Sequence, residues 1–217
     1  MATPTEENYL KALFQLSSES GEVSVSALSA VLNVSKPTAN SMVKNLKEQG
    51  LVVYEKYRPL LLTDQGRKAA ALVIRKHRLT EMFLVEKMGF GWDEVHEIAE
   101  QVEHIKSPAF FDRMNELMDY PTEDPHGSPI PDKEGKIIQQ HYKRLSDCKT
   151  GDHVKLTALR QSSKEFLTFL DDRGLSLGTT VTIEVTEPFD KSLVIQHDNK
   201  KISLSFEVSE KLMVEVQ

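Results

Sequence analysis

Four prolines and two glycines crowd into the sixteen residues Tyr120–Gly135 (YPTEDPHGSPIPDKEG). Each proline removes a backbone donor and fixes φ, so no regular helix or strand survives that density. The segment is therefore a linker or an ordered loop, and it divides the 217-residue chain into two textures. Ahead of it, apolar residues recur at helical spacing. Behind it, from about Leu145, Val, Ile and Thr alternate, as in Thr179–Val185 (TTVTIEV) and Ser192–Gln196 (SLVIQ). Gly174, Gly178 and the turn-like Asp198-Asn199 punctuate that stretch, which reads as a small β-barrel or β-sandwich-like unit.

In the front part, Tyr9, Leu10, Leu13, Phe14 and Leu16 predict an amphipathic helix of about thirteen residues. Val25, Leu28, Val31 and Leu32 mark a second, short helix, and Asn33-Val34 a turn. Ser35 then caps a third helix, with Pro37 in its first turn, Met42, Val43 and Leu46 on one face, and Gly50 at its end. Leu51–Thr63 follows as two strands around a basic tip. A helix-turn-helix followed by such a hairpin is a winged helix. The third helix opens with Ser35, Lys36, Pro37, Thr38, Asn40 and Ser41, small polar groups and a cation suited to base edges in a major groove. Lys44 and Lys47, with Lys56 and Arg58 on the wing, would neutralise phosphates without reading sequence. The net charge of −6 speaks against a nucleic-acid binder, but its distribution does not. Residues 1–76 carry ten Lys/Arg against seven Asp/Glu, while the remainder is strongly acidic.

The second signal is a stripe of ligand-type residues. On a helix, positions i, i+4, i+7 and i+8 share one face, and His96, Glu100, Glu103 and His104 have that spacing. His77 and Glu81 repeat the i, i+4 pairing one helix earlier, and the short Gly89-Phe90-Gly91 turn would bring the two helices side by side. Six imidazole and carboxylate donors suit a divalent first-row ion. A zinc protease is excluded by spacing, because His96-Glu97-Ile98-Ala99 is followed by Glu100 and not by histidine. No Ser-His-Asp set, P-loop or dinucleotide fingerprint occurs, so the chemistry reads as binding and not as turnover. Two other readings of the stripe remain: a winged-helix factor sensing a non-metal signal, with the stripe solvated, and a metal-dependent hydrolase. No apolar run approaches the roughly 18 residues of a membrane span. The start of the chain lacks a signal-peptide pattern and the lone Cys148 excludes an internal disulfide, so the expected place is the cytoplasm, with no membrane partner.

Taken in order, the motifs resemble the diphtheria toxin repressor family of metal-dependent transcriptional repressors, including its manganese-regulator branch. The residues that carry the resemblance are Thr5–Leu10 (TEENYL), Ser35–Ser41 (SKPTANS), Gly50–Tyr54 (GLVVY), Leu62–Arg67 (LTDQGR), Arg75–Glu81 (RKHRLTE), Val95–His104 (VHEIAEQVEH) and Asp124–Pro131 (DPHGSPIP). The resemblance covers about residues 4–131, and beyond Leu145 it becomes a general likeness to the family's SH3-like, ferrous-transport-A-like domain.

It implies a mainly α chain with a small β domain. The parts would be a winged helix-turn-helix over 1–63, a helical metal-binding and dimerisation domain over 64–120, a Pro-rich linker over 121–144 and an SH3-like β-barrel over 145–217. It also implies a homodimer, not an enzyme, that represses metal-homeostasis genes by binding a palindromic operator when metal-loaded. A primary metal site would use Glu100, Glu103 and His104 with Asn8 from the first helix. An ancillary site would use His77, Glu81 and His96, completed by Glu165 of the last domain. A carboxylate at Glu100, where the iron-responsive branch has cysteine, favours Mn²⁺, with Fe²⁺ as the alternative. Lys11 stands where the branch with closely paired metals has a glutamate, which argues for two separated sites. The C-terminal domain has three open roles: supplying a ligand, binding the Pro-rich segment, or adjusting stability.

Overall fold

The computed structural model describes residues 2–20, 22–56, 58–138 and 140–217. They form two compact units, one of Met1–Thr80, Ala99–Thr122 and Ile130–Ile138, the other of Glu81–Ile98, Glu123–Pro129 and Gln139–Gln217.

In the first unit, helix α1 (Pro4–Ser20) is longer than the apolar pattern predicts. Its start is a reciprocal cap: Thr3 N–H donates to Glu6 Oε2 at 2.7 Å and Glu6 N–H to Thr3 Oγ1 at 3.3 Å. Past the apolar stripe the helix continues through its polar end, where Ser17 and Ser18 donate their hydroxyls back to the Phe14 carbonyl. Helix α2 (Val25–Val31) is capped by Ser24, and α3 (Lys36–Glu48) by Ser35 with Pro37 in its first turn. Between them Asn33 takes the left-handed conformation the tight turn demands. Strands β1 (Val52–Val53) and β2 (Leu61–Leu62) pair antiparallel, and a bridge from Val23 to Leu60 ties the hairpin back towards α2. The order and geometry are those of a helix-turn-helix with a wing. Leu10, Leu13, Leu28, Leu46 and Leu60 make its fully buried centre.

Helix α4 (Asp64–Met88) starts against the wing, where a Cβ on Gly66 would lie 2.0 Å from the Leu51 carbonyl oxygen. Helix α5 (His96–Val102) is shorter than the ligand stripe. Glu103 still donates its amide to Ala99 at 2.9 Å, but Glu103 and His104 lie in the turn that ends the helix. Helix α6 (Pro108–Leu117) completes this unit.

The second unit is built on an antiparallel sheet of six strands, ordered β3-β8-β4-β5-β6-β7. The strands are β3 (Lys143–Arg144), β4 (His153–Leu159), β5 (Thr180–Thr186), β6 (Leu193–His197), β7 (Lys200–Leu204) and β8 (Leu212–Val216). Here the expectation of a barrel is corrected, because among the described residues no ladder joins β7 to β3 and the sheet stays open. The physical reason lies at both edges. Strand β3 has two residues, too few to template a closing ladder, and the Asp198-Asn199 turn, both residues at positive φ, commits β7 to β6 alone. Irregularities at Leu156/Ala158 and Ile183/Val185 curl the sheet instead. Helix α7 (Lys164–Asp171), which the alternation pattern did not suggest, contributes Phe166, Leu167 and Leu170 to the core of the sheet domain. A short α8 (Phe206–Ser209) precedes β8.

The Pro-rich segment is an ordered loop. Asp124 Oδ1 accepts from the amides of His126 and Ser128 at 2.8 and 2.9 Å, and Leu159 N–H donates to the His126 carbonyl at 2.9 Å, adding this loop to the end of β4. A Cβ on Gly127 would meet the Thr157 carbonyl oxygen at 2.2 Å. In the first unit, Arg75 donates to the Pro131 carbonyl at 2.6 Å.

Candidate metal centres

Within the first unit, α1 faces the end of α5. Glu7 and Lys11 are one helical turn apart, and both reach the ligand stripe. Glu7 Oε2 accepts from His104 Nδ1 at 2.6 Å, with Lys76 3.7 Å from its other oxygen. Lys11 Nζ lies 2.6 Å from Glu100 Oε1 and 2.7 and 2.9 Å from the two oxygens of Glu103. From α4, His77 Nδ1 donates to Glu103 Oε2 at 2.6 Å. Glu103 has no solvent exposure. Burial pushes its carboxyl up, but the His77 bond and the Lys11 charge outweigh that and hold it below the ordinary value. Nδ1 of both His77 and His104 donates to a carboxylate, which orients each ring, and His104 Nε2 is 3.8 Å from Glu103 Oε1.

Asn8, one helical turn before Lys11, has a buried Oδ1 without a hydrogen-bond partner. Thus Glu100, Glu103 and His104 lie in one cluster, which Lys11, Glu7 and His77 share. Glu7 was not foreseen. Its signal was its place beside Asn8 and one turn before Lys11.

The second unit holds a second cluster. Glu81, Asp124 and His126 are all buried, and one ligand atom from each lies within 4.8 Å of the others. His126 Nε2 donates to the Trp92 carbonyl at 2.9 Å, which fixes the tautomer and leaves Nδ1 facing Glu81 Oε2 at 3.7 Å. The Trp92 ring stacks on the imidazole with centroids 6.1 Å apart, and its indole N–H reaches Asp171. Burial drives the His126 basicity down, but the Glu81 bond and charge and the nearby Asp124 raise it above the ordinary histidine value. His96 Nδ1 is 3.3 Å from Glu81 Oε1, so the Gly89–Gly91 turn does bring those two together. Glu165 is exposed in the first turn of α7. The sequence places Asp124 and His126 in a loop motif and does not mark them as ligands. Two ligand-type residues two positions apart beside a glycine were the signal.

Helix α3 buries Ala39, Val43 and Leu46 and exposes Lys36, Pro37, Thr38, Ser41, Lys44 and Lys47. Ser35, also exposed, spends its hydroxyl as the helix cap and on Thr38 Oγ1 at 2.8 Å. Half-buried Asn40 accepts from the Tyr54 hydroxyl at 2.8 Å, which pins the helix to the wing. Lys56 and Arg58 are exposed on the wing, and Arg58 pairs with Glu55 at 3.1 Å.

Residues 1–60 match the family described as iron dependent repressor, N-terminal DNA binding domain. Residues 63–132 match its metal binding and dimerisation domain, and residues 143–216 match the FeoA domain. The iron-dependent repressor IdeR of Mycobacterium leprae is 30% identical over 97% of this chain and 96% of its own length. The chain belongs to the iron-dependent repressor family. A second relative, the HTH-type transcriptional regulator MntR of Geobacillus kaustophilus, is 35% identical but covers 57% of this chain and 87% of its own. A solved structure described as a manganese-dependent transcriptional repressor in complex with manganese superposes with a TM-score of 0.89 at 30% identity, over 98% of this chain and 100% of that one. Members of the family are metal-dependent, DNA-binding transcriptional regulators.

The donors present in this member fit a divalent ion. The first cluster offers carboxylate oxygens, imidazole nitrogens and the partnerless Asn8 Oδ1, all hard or borderline donors. The one cysteine, Cys148, is buried in the core of the sheet domain. Among the described residues no helix is long and apolar enough to cross a membrane.

Proposed function

We propose that this repressor acts as a cytoplasmic homodimer on palindromic operator DNA in the control of metal homeostasis, with Mn²⁺ as its activating ion and Fe²⁺ as the alternative. One observation carries the reading: the first helix of the DNA-binding part and the carboxylates ending α5 share a single side-chain cluster, through Glu7–His104 and Lys11–Glu100, both 2.6 Å. Asn8, Glu100, Glu103 and His104 would hold the primary ion, with Glu7 and His77 orienting the ligands. Glu81, His96, Asp124 and His126 would form the second set, with Glu165 as an outlying candidate. A bound divalent cation supplies a charge that α1 and α5 ligate together. The absence of a thiolate from both sets favours Mn²⁺ or Fe²⁺ over softer ions.

The chain's own residues do the rest. Lys36, Thr38, Asn40 and Ser41 face base edges, Ser35 and Pro37 set the entry of the helix, and Lys44, Lys47, Lys56 and Arg58 hold phosphates. The exposed Ile105, Phe110 and Leu117 suit burial against a second copy. Residues 1–63, 64–120, 121–144 and 145–217 would serve as DNA-binding domain, dimer domain, connecting loop and SH3-like domain.

The test is selection of duplexes from a random library by the full chain, with Mn²⁺ and with chelator. The expected result is an enriched inverted repeat in Mn²⁺ alone, lost in Glu103→Ala. Equal enrichment with chelator would show that metal is not the signal.

A further inference from the structure

The cation lying between Glu100 and Glu103 is the ammonium of Lys11, and it is built into the chain. It bonds both oxygens of Glu103 and one of Glu100, at 2.6 to 2.9 Å, and Lys11 as a residue is 8% exposed. We propose that Lys11 is the resident counter-cation of the primary cluster, which a divalent ion must displace, so that Lys11 sets the concentration at which the site fills. This rests on the metal-site reading above.

The argument is one of charge and lone pairs. Glu7, Glu100 and Glu103 bring three carboxylates to one place, and Glu103 has no access to water. A buried carboxylate without a counter-charge is strongly disfavoured, so the site needs a cation whether or not metal is at hand. Lys11 provides it from α1, and in doing so joins α1 to α5. A divalent ion ligated by Glu100 and Glu103 needs the oxygens that the ammonium now holds. Two cations on the same oxygens repel, so one leaves. His104 is held apart from the ammonium, since its Nδ1 donates to Glu7 at 2.6 Å while its Nε2 lies 3.8 Å from Glu103 Oε1. Lys11 therefore weakens metal binding and at the same time substitutes for it, keeping the helices together at low metal.

The test compares wild type with Lys11→Met and Lys11→Arg in the full, metal-stripped chain. Free Mn²⁺ is read from the electron paramagnetic resonance signal of the hydrated ion, and thermal stability is followed in parallel. Lys11→Met is expected to bind Mn²⁺ about tenfold more tightly, to melt lower when stripped, and to gain more from added Mn²⁺ than wild type. Lys11→Arg, which keeps a cation, is expected to show no such gain in affinity. A measurement on wild type stands even if both variants misfold: lysine-selective ¹⁵N NMR should show a protected ammonium that is lost at saturating Zn²⁺, a diamagnetic stand-in. Unchanged or weaker Mn²⁺ binding by a folded Lys11→Met, or an ammonium signal that persists with Zn²⁺ bound, overturns the proposal. If wild type binds neither ion, the metal reading itself falls, and Lys11 is then a plain ion-pair partner.

Discussion

At the scale of single residues, Gly127 shows how a backbone constraint can shape a candidate site. Its φ of +80° is one that side chains rarely adopt, and an added Cβ would lie 2.2 Å from a backbone oxygen of β4. Gly174 provides the control, since its φ is +68° but nothing lies within 4 Å of its Cβ position. Gly174→Ala should therefore cost only the conformational strain, about 1 kcal/mol. Gly127→Ala must also push the loop off β4, and should cost about 3 kcal/mol in urea unfolding. Because His126 is the preceding residue and stacks on the only tryptophan, the displaced loop should change Trp92 fluorescence in the native state. Unchanged emission in Gly127→Ala would mean that the loop accommodates the methyl without moving the Glu81–Asp124–His126 cluster.

At the scale of elements, α7 is the part of the sheet domain that packing decides. Leu170 is 1% exposed and shares its core with Cys148, Leu167 and Val214. Truncation to alanine should destabilise the domain by about 2–5 kcal/mol. Cys148 can report this directly. Burial, and then the acidic neighbours Asp152 and Asp147 against the opposing charge of Lys143, push its thiol above the ordinary value. Alkylation of the native protein should thus be slow at pH 8 and accelerate as pH rises past the ordinary thiol range. In Leu170→Ala the rate at pH 8 should increase, and equal rates in the two proteins would argue that Cys148 reacts without opening of this core.

Helix α7 also marks a limit of reading by pattern. Ser163 as cap, Phe166, Leu167 and Leu170 on one face and Gly174 beyond the end are all helix signals. They are swamped by the strand alternation on either side. By contrast α2, α3 and the apolar middle of α1 were legible because caps and apolar spacing are local, while the polar end of α1 ran past the pattern. The open sheet was not legible: that β7 stops at β6 and never reaches β3 depends on pairings far apart in sequence.

At the scale of the whole molecule, the candidate sites were legible where ligand types recur at helical spacing in one short stretch, as in Glu100, Glu103 and His104. They were hidden where ligands come from separate elements. Glu7 meets His104 across 97 positions, and nothing in the local sequence announces that contact. On the proposed function the same separation has a consequence, because a group that α1 and α5 ligate together would be sensitive to how α1 is held, and α1 is packed against α2 and α3 of the DNA-binding domain. Binding at the two places would then be thermodynamically coupled, and the coupling reciprocal. If saturating Mn²⁺ tightens a selected duplex by some factor, the duplex must tighten Mn²⁺ by that factor. A shift of the DNA-competent state from 1:99 to 99:1 corresponds to about 10⁴-fold, or roughly 5.5 kcal/mol. The expected outcome is a fall in the Mn²⁺ dissociation constant on adding duplex, equal to the fall in the duplex constant on adding Mn²⁺. Removing Lys11 should tighten Mn²⁺ in both conditions. Mn²⁺ affinity indifferent to duplex would mean that the cluster linking α1 to α5 carries no information to the DNA-binding face.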